Sequence, residues 1–258
     1  MQDVRYEVTD AVARVTIDRP ERRNAMSFDV MQGLRESMAL ARSDDEVRVV
    51  MLTGAGEKAF CAGADLGSGG IHDSAADAHD GRGLLADLFH DMWGLGKPTV
   101  ARVRGYCLAG GFGLALACDF VVAADDAQFG TPEINVGLWP YMITVPLLRS
   151  MPPKRAFELM ATGRRVDAAE AERIGFLTRV VPTDELDAAV DELCGTLTSK
   201  SPLIMRWGRD SFQHVLHMHP DAALAYLQGM LTVTSGSEDT AEGVAAFIEK
   251  REPKWTGR

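Results

Sequence analysis

Basic residues are in short supply. Lys and Arg number 27 against 37 Asp and Glu, a formal charge of −10 over 258 residues. That deficit excludes the broad positive field of a nucleic-acid-binding protein. An anionic ligand would have only local cations or helix N-termini to bind to. Cysteine is scarce as well. Cys61, Cys107, Cys118 and Cys194 form no CxxC pair and match neither a disulfide framework nor a zinc site. No apolar run approaches the roughly 18 residues of a membrane span. The opening "MQDVRYEVTD" lacks the apolar stretch of a secretory signal. A reducing cytoplasm is therefore the expected compartment, with no nucleic-acid and no membrane partner.

What is present reads as strands and helices in alternation. "VRYEVTDAVARVTIDRP" alternates apolar and polar residues around a turn at Thr9-Asp10, which predicts a β-hairpin. "SFDVMQGLRESMALARSDDEV" predicts an amphipathic helix with Ser27 as N-cap and Val30, Met31, Leu34, Met38 and Ala41 on one face. "VRVVMLTG" is a continuous apolar run, the pattern of a strand buried on both faces. "GSGGIHDSAADAHDGRG", residues 67–83, predicts a mobile surface loop. A helix over 84–95, a strand in "KPTVARVRG", a helix over 110–117, and strands in "DFVVAAD" and "AQFG" follow. After the loop "TPEINVGLWPY" the chain reads as helices over 141–149, 152–161, 167–173, 183–199, 202–216, 220–235 and 237–249. The fold class is α/β, with a core over 1–195 and a C-terminal helical region over 196–258.

Two glycine clusters stand out. "AFCAGADL" (59–66) follows a strand, and "LAGGFG" (108–113) opens a helix. Small residues let another group approach the backbone closely. The first N–H groups of a helix have no partner within it. Two such donors from separate segments would make an oxyanion hole; for either cluster taken alone, a tight turn and close helix packing are the simpler account of the glycines.

Together with "TPEINVGL", "VTIDRPERRNAMS", "KPTVARVRG", "FELMATGRRVDAAEAERIGFLTRVV" and "FIEKREPKWTGR", these motifs resemble the crotonase (enoyl-CoA hydratase/isomerase) family over nearly the whole chain. The resemblance implies a spiral of ββα units with a C-terminal helical trimerisation region, assembled as a homotrimer or a dimer of trimers. It implies an acyl-CoA thioester as substrate, with the thioester oxygen held by the N–H groups of Ala64 and Gly110. The backbone around Ala62, Asp65 and Leu66 falls on the adenine and pantetheine side, and Asp65 would also cap a short helix after the hole. Arg22 and Arg23, with Lys250 and Lys254 from a neighbouring subunit, are candidates for the CoA phosphates. No metal and no redox cofactor is implied; coenzyme A enters as part of the substrate.

The same resemblance bears on the reaction. Family hydratases use two glutamates. One is present as Glu133 in "TPE"; the other would fall at position 113, which is Gly113. One carboxylate suits a proton shuttle. It removes a proton from C4 of a 3-enoyl thioester and returns it at C2, so a double-bond isomerase is the first expectation. A hydratase with a single glutamate, another family reaction such as thioester hydrolysis or decarboxylation, and a non-catalytic acyl-CoA binder are the alternatives. Trp139, Tyr141 and Met142 are bulky where family hydratases carry small residues. They either line the acyl cavity, where Tyr141 would donate a hydrogen bond, or pack between helices. His214, His217 and His219 read as polar surface or packing residues, and Cys61 and Cys107 as small buried hydrophobes.

Overall fold

The computed structural model describes residues 2–65 and 75–258. Its strands are β1 (Val4–Thr9), β2 (Val12–Ile17), β3 (Val49–Gly54), β4 (Ala59–Cys61), β5 (Thr99–Val103), β6 (Tyr106–Leu108), β7 (Phe120–Ala124), β8 (Gln128–Gly130), β9 (Arg165–Asp167) and β10 (Arg179–Val181). Its α-helices are α1 (Phe28–Ser43), α2 (Ala75–Trp93), α3 (Gly110–Ala117), α4 (Thr144–Ser150), α5 (Pro153–Thr162), α6 (Ala168–Ile174), α7 (Leu186–Thr198), α8 (Pro202–Val215), α9 (Pro220–Ser235) and α10 (Glu238–Glu249).

The hairpin forms as expected, with β1 antiparallel to β2. Ser27 caps α1 by accepting from Val30 N, and the predicted apolar face is buried. The strands then divide between two sheets. The larger has the order β1-β2-β3-β5-β7-β10, the smaller β4-β6-β8-β9. Each of the pairs β3/β4, β5/β6 and β7/β8 places its first strand in the large sheet and its second in the small one, and a helix follows. This is the repeating ββα unit.

The central strands of the large sheet are buried on both faces, which explains their unbroken apolar runs. On β3, Val50 and Leu52 enter the main core with α1 and α2, while Val49 and Met51 enter a second core closed by Leu186, Ala189 and Val190 of α7. Within the predicted loop 67–83, residues 75–83 form the first turns of α2; residues 67–74 lie outside those described. The strands β4, β6, β9 and β10 are three residues each, too short for periodicity to reveal them.

The glycines of α3 answer to packing. A Cβ on Gly111 would lie 2.4 Å from Cys61 O, 2.6 Å from Cys61 Cβ and 2.8 Å from Cys61 Sγ. Gly111→Ala is therefore expected to destabilise the fold by roughly 1–3 kcal/mol or more, because a strand carbonyl cannot swing aside. Gly195→Ala on α7, where the added methyl meets nothing within 4 Å, should stabilise by roughly 0.5–1 kcal/mol. Urea midpoints of the two variants check the opposite signs.

Candidate active site

β4, β6 and β8 run parallel and side by side in the small sheet, with Cys61 opposite Cys107 and Leu108 opposite Gly130. Parallel neighbours about 4.8 Å apart deliver their following residues to one edge. Ala62–Asp65 follows β4, Ala109 and α3 follow β6, and Thr131–Glu133 follows β8. Three motifs separated by tens of residues are thus brought to one rim.

Met26 grips the first of these segments on both sides of Ala64. Met26 N donates to Gly63 O (2.8 Å), and Asp65 N donates to Met26 O (2.9 Å). Successive N–H groups of an extended segment point to opposite sides, so the Ala64 N–H points away from Met26. Among the described residues no backbone acceptor takes it. At the second segment the chain turns sharply at Ala109, with φ 52° and ψ −130°. Ala109 O accepts from Phe112 N and Gly113 N, while the Gly110 N–H has no backbone acceptor among the described residues. A Cβ on Gly63 would lie 2.6 Å from Ala109 Cβ. The two glycine clusters are therefore in contact, each bringing one N–H without a backbone acceptor among the described residues.

Glu133 sits in a 3-10 turn, Pro132–Val136, directly after β8. Its Oε2 and the Thr131 hydroxyl are buried, and neither has a hydrogen-bond partner among the described residues. Burial pushes the Glu133 carboxyl above the usual glutamate range, and a hydrogen bond from its own backbone N–H offsets part of that. A buried polar atom without a partner calls for an explanation, a bound water, ion or ligand among them, and a carboxyl raised by desolvation is a candidate acid–base.

Known proteins carry the same architecture. The sequence profile described as enoyl-CoA hydratase/isomerase matches residues 7–258. The chain belongs to the enoyl-CoA hydratase/isomerase family. It is 35% identical over 262 residues to a probable enoyl-CoA hydratase of Mycobacterium bovis, covering 100% of this chain and 99% of the relative. It is 37% identical over 254 residues to a carnitinyl-CoA dehydratase of Salmonella heidelberg, covering 96% and 95%. The crystal structure of an enoyl-CoA hydratase from Bacillus anthracis superposes with a TM-score of 0.95 at 30% identity, over the full length of both chains. The crotonase-type mixed α/β fold with C-terminal helices expected from the sequence is thereby established.

The expected site residues have the following surroundings. The Asp65 side chain is tied down within the chain. Its carboxylate pairs with Arg19 NH2 at 2.9 Å in a largely buried contact, and Arg19 also reaches Asp3 and Ala25 O. It braces the loop. Ala62 N is likewise committed, to Arg23 O at 3.1 Å. Leu66, and the short helix Asp65 was expected to cap, lie outside the described residues. Tyr141 is 75% exposed, whereas Trp139 and Met142 pack against the main core. Gly113 is buried, but the space its side chain would occupy belongs to Ile143.

Arg22 and Arg23 are exposed, and the Arg23 guanidinium lies 5.8 Å over the Tyr106 ring. Arg165 lies 5.1 Å over the same ring, a neighbour that sequence reading missed because β9 is so short. Asn24 was also missed. Fully buried, it donates to Ala55 O and Ala59 O and fastens the arginine turn to the strand before the site. Lys250 and Lys254 sit on a C-terminal segment anchored to α10 and to Ser199 through Glu242 and Trp255. His217 lies against Arg149, and His214 against the Tyr226 ring. Burial pushes the Cys61 thiol up to about 12 and raises the Cys107 thiol well above its ordinary value, which suits packing and not nucleophilic attack.

A native carboxyl raised above its unfolded value binds protons that the unfolded chain has already released, so stability falls as pH rises through that interval. At neutral pH Glu133→Gln is therefore expected to melt higher than the wild type. The gap should close below the ordinary carboxylate range. Melting temperatures of both proteins across that pH range check it; a wild type as stable as the variant at neutral pH would mean the carboxylate is paired.

Proposed function

We propose that this family member moves a double bond in an enoyl-CoA thioester, with Glu133 as the single proton shuttle. The thioester oxygen lies between the N–H groups of Ala64 and Gly110. Glu133 takes a proton from C4 of a 3-enoyl group, and the charge spreads into a dienolate whose oxygen the two donors stabilise. Each donor is worth roughly 3–4 kcal/mol when preorganised at developing charge. The protonated Glu133 then returns the proton at C2, so no atom comes from solvent. The observation that carries this reading is the half-buried Glu133, whose Oε2 is buried without a hydrogen-bond partner among the described residues, on the rim where the Ala64 and Gly110 N–H groups have no backbone acceptor among those residues. The upward shift of its pKa by burial makes the carboxylate a stronger base than a solvated glutamate, which favours the proton abstraction that opens the shuttle.

A single-glutamate hydratase is the second reading. It is favoured by the names of the relatives, which include an enoyl-CoA hydratase and a carnitinyl-CoA dehydratase. The two readings separate when the protein is offered a 3-enoyl-CoA and a trans-2-enoyl-CoA. Migration faster than water addition is expected; efficient hydration with slow migration would sink the isomerase. Glu133→Gln should lower migration by about 10²–10⁴-fold, the contribution of a positioned acid–base, while CoA binding persists. The acidic limb of kcat/KM should vanish with it, since activity falls as Glu133 becomes protonated.

The CoA handle of the substrate is read onto Arg22, Arg23 and Arg165 at the rim, and onto Lys250 and Lys254 of an adjacent copy. Assembly as a trimer, singly or in pairs, is supported by the apolar surface of the C-terminal helices. Leu224, Leu231, Phe247 and Ile248 are each more than two-thirds exposed in the single chain. A cavity of about 1040 Å³, lined by Leu116, Phe120, Phe212 and Phe247, opens beside them at the far end of α3 from Gly110. It is too apolar and too far along α3 to be the reaction site. Phe247→Asp is expected to shift the light-scattering mass from trimer or hexamer towards monomer; an unchanged mass would place the interface elsewhere.

A further inference from the structure

We propose that Ile143 determines which reaction the site performs, by closing the glycine face of α3 to water; this rests on the isomerase reading above. Ile143 is the N-cap residue of α4 and is 3% exposed. A Cβ on Gly113 would lie 2.3 Å from Ile143 Cγ2, 2.6 Å from its Cβ and 3.3 Å from Phe89 Cζ. One turn earlier on the same face, a Cβ on Gly110 would lie 2.6 Å from Met26 Cε and 3.8 Å from Leu85 Cδ2. Leu85 and Phe89 are one turn apart on α2. The face that begins at the Gly110 N–H is thus walled by Met26, Leu85, Phe89 and Ile143, all buried and all apolar.

Hydration and migration make different demands on that wall. Hydration delivers a water hydroxyl to C3 and a proton to C2, so a water must be held and deprotonated. An apolar wall offers it no hydrogen bond and charges a desolvation cost. Migration transfers one proton from C4 to Glu133 and back to C2, and a dry wall favours it. Ile143 is β-branched and stiff at χ1, so it does not swing aside readily. Gly113 is then more than a missing carboxylate. Its space is filled, and a carboxylate placed there has no room unless residue 143 shrinks.

The test compares wild type, Ile143→Ala, Gly113→Glu and Gly113→Glu/Ile143→Gly. The ratio of 3-hydroxyacyl-CoA to migrated enoyl-CoA is read by chromatography, with melting temperature alongside. Ile143→Ala is expected to raise the ratio about tenfold, and the double variant about 100-fold, the low end of what a positioned acid–base supplies. Gly113→Glu alone should melt lower and gain no hydration. The inference is overturned if folded Ile143→Ala leaves the ratio unchanged, or if Gly113→Glu alone folds like wild type and hydrates. Should the double variant not fold, Ile143→Ala still decides. A wild type that hydrates faster than it migrates overturns the isomerase reading together with this inference. A migrating wild type with an unresponsive Ile143→Ala overturns this inference only.

Discussion

The first turn of α3 lies against the end of β4 at a distance that only glycine permits. Gly111 faces Cys61 backbone and side chain at under 3 Å from a notional Cβ, and Gly63 faces Ala109 in the same way. Everything at the candidate site follows from this contact. It sets the N-terminus of α3 beside the Ala62–Asp65 segment, so two N–H groups left over from different secondary structures emerge together. It also explains how glycine is tolerated in a helix at roughly 1 kcal/mol per residue relative to alanine. Close packing on Cys61, Met26 and Ile143 repays that cost, and the donor geometry comes with it. The packing account of the glycines and the functional one are the same account.

Charge is distributed by the same logic. A net charge of −10 excludes a global attraction for anions, yet screening confines fields to roughly 8–10 Å at moderate salt, so only local cations matter. Most acids with depressed pKa values have arginine partners, as in Glu242 with Arg251, Glu170 with Arg164 and Asp187 with Arg102. Arg23 and Arg165 instead share the Tyr106 ring, whose π face holds two like charges near one another. The carboxylate of Glu133 is left without such a partner. An arginine beside it would lower its pKa and weaken it as a proton acceptor.

The order of elements and the three converging motifs were legible because they rest on local signals: apolar periodicity, capping residues and glycine clusters. The nearly continuous run of helices after residue 140 was legible for the same reason. What was not legible depends on contacts between distant segments. Three-residue strands such as β6 and β9 exist only because neighbours complete their ladders. The start of α2 was hidden because its alanine, aspartate and glycine composition imitates a loop. Asp65 reads like any acidic loop residue until Arg19, forty-six positions earlier, is found against it. Tyr141 drew attention by size, whereas Ile143, two residues on, occupies the informative space. No local property of an isoleucine signals that it replaces the side chain of Gly113.

Several unfavourable features meet at one edge of the small sheet. Ala109 holds a left-handed φ that costs a non-glycine residue of order 1–3 kcal/mol. Thr131 and Glu133 each bury a polar atom without a partner. The Ala64 and Gly110 N–H groups lack backbone acceptors among the described residues. In α1 and α6, by contrast, propensity, cap and packing agree with one another. Natural chains tend to break such consistency where function requires it. Here the breaks are complementary: two unspent donors and one unspent carboxylate, beside an apolar wall. An enolate oxygen would satisfy the donors, and the proton lost in forming that enolate would satisfy the carboxylate. One chemical event resolves all three deficits, which is why the strain at this edge reads as a site prepared for carbon acid chemistry and not as imperfect packing.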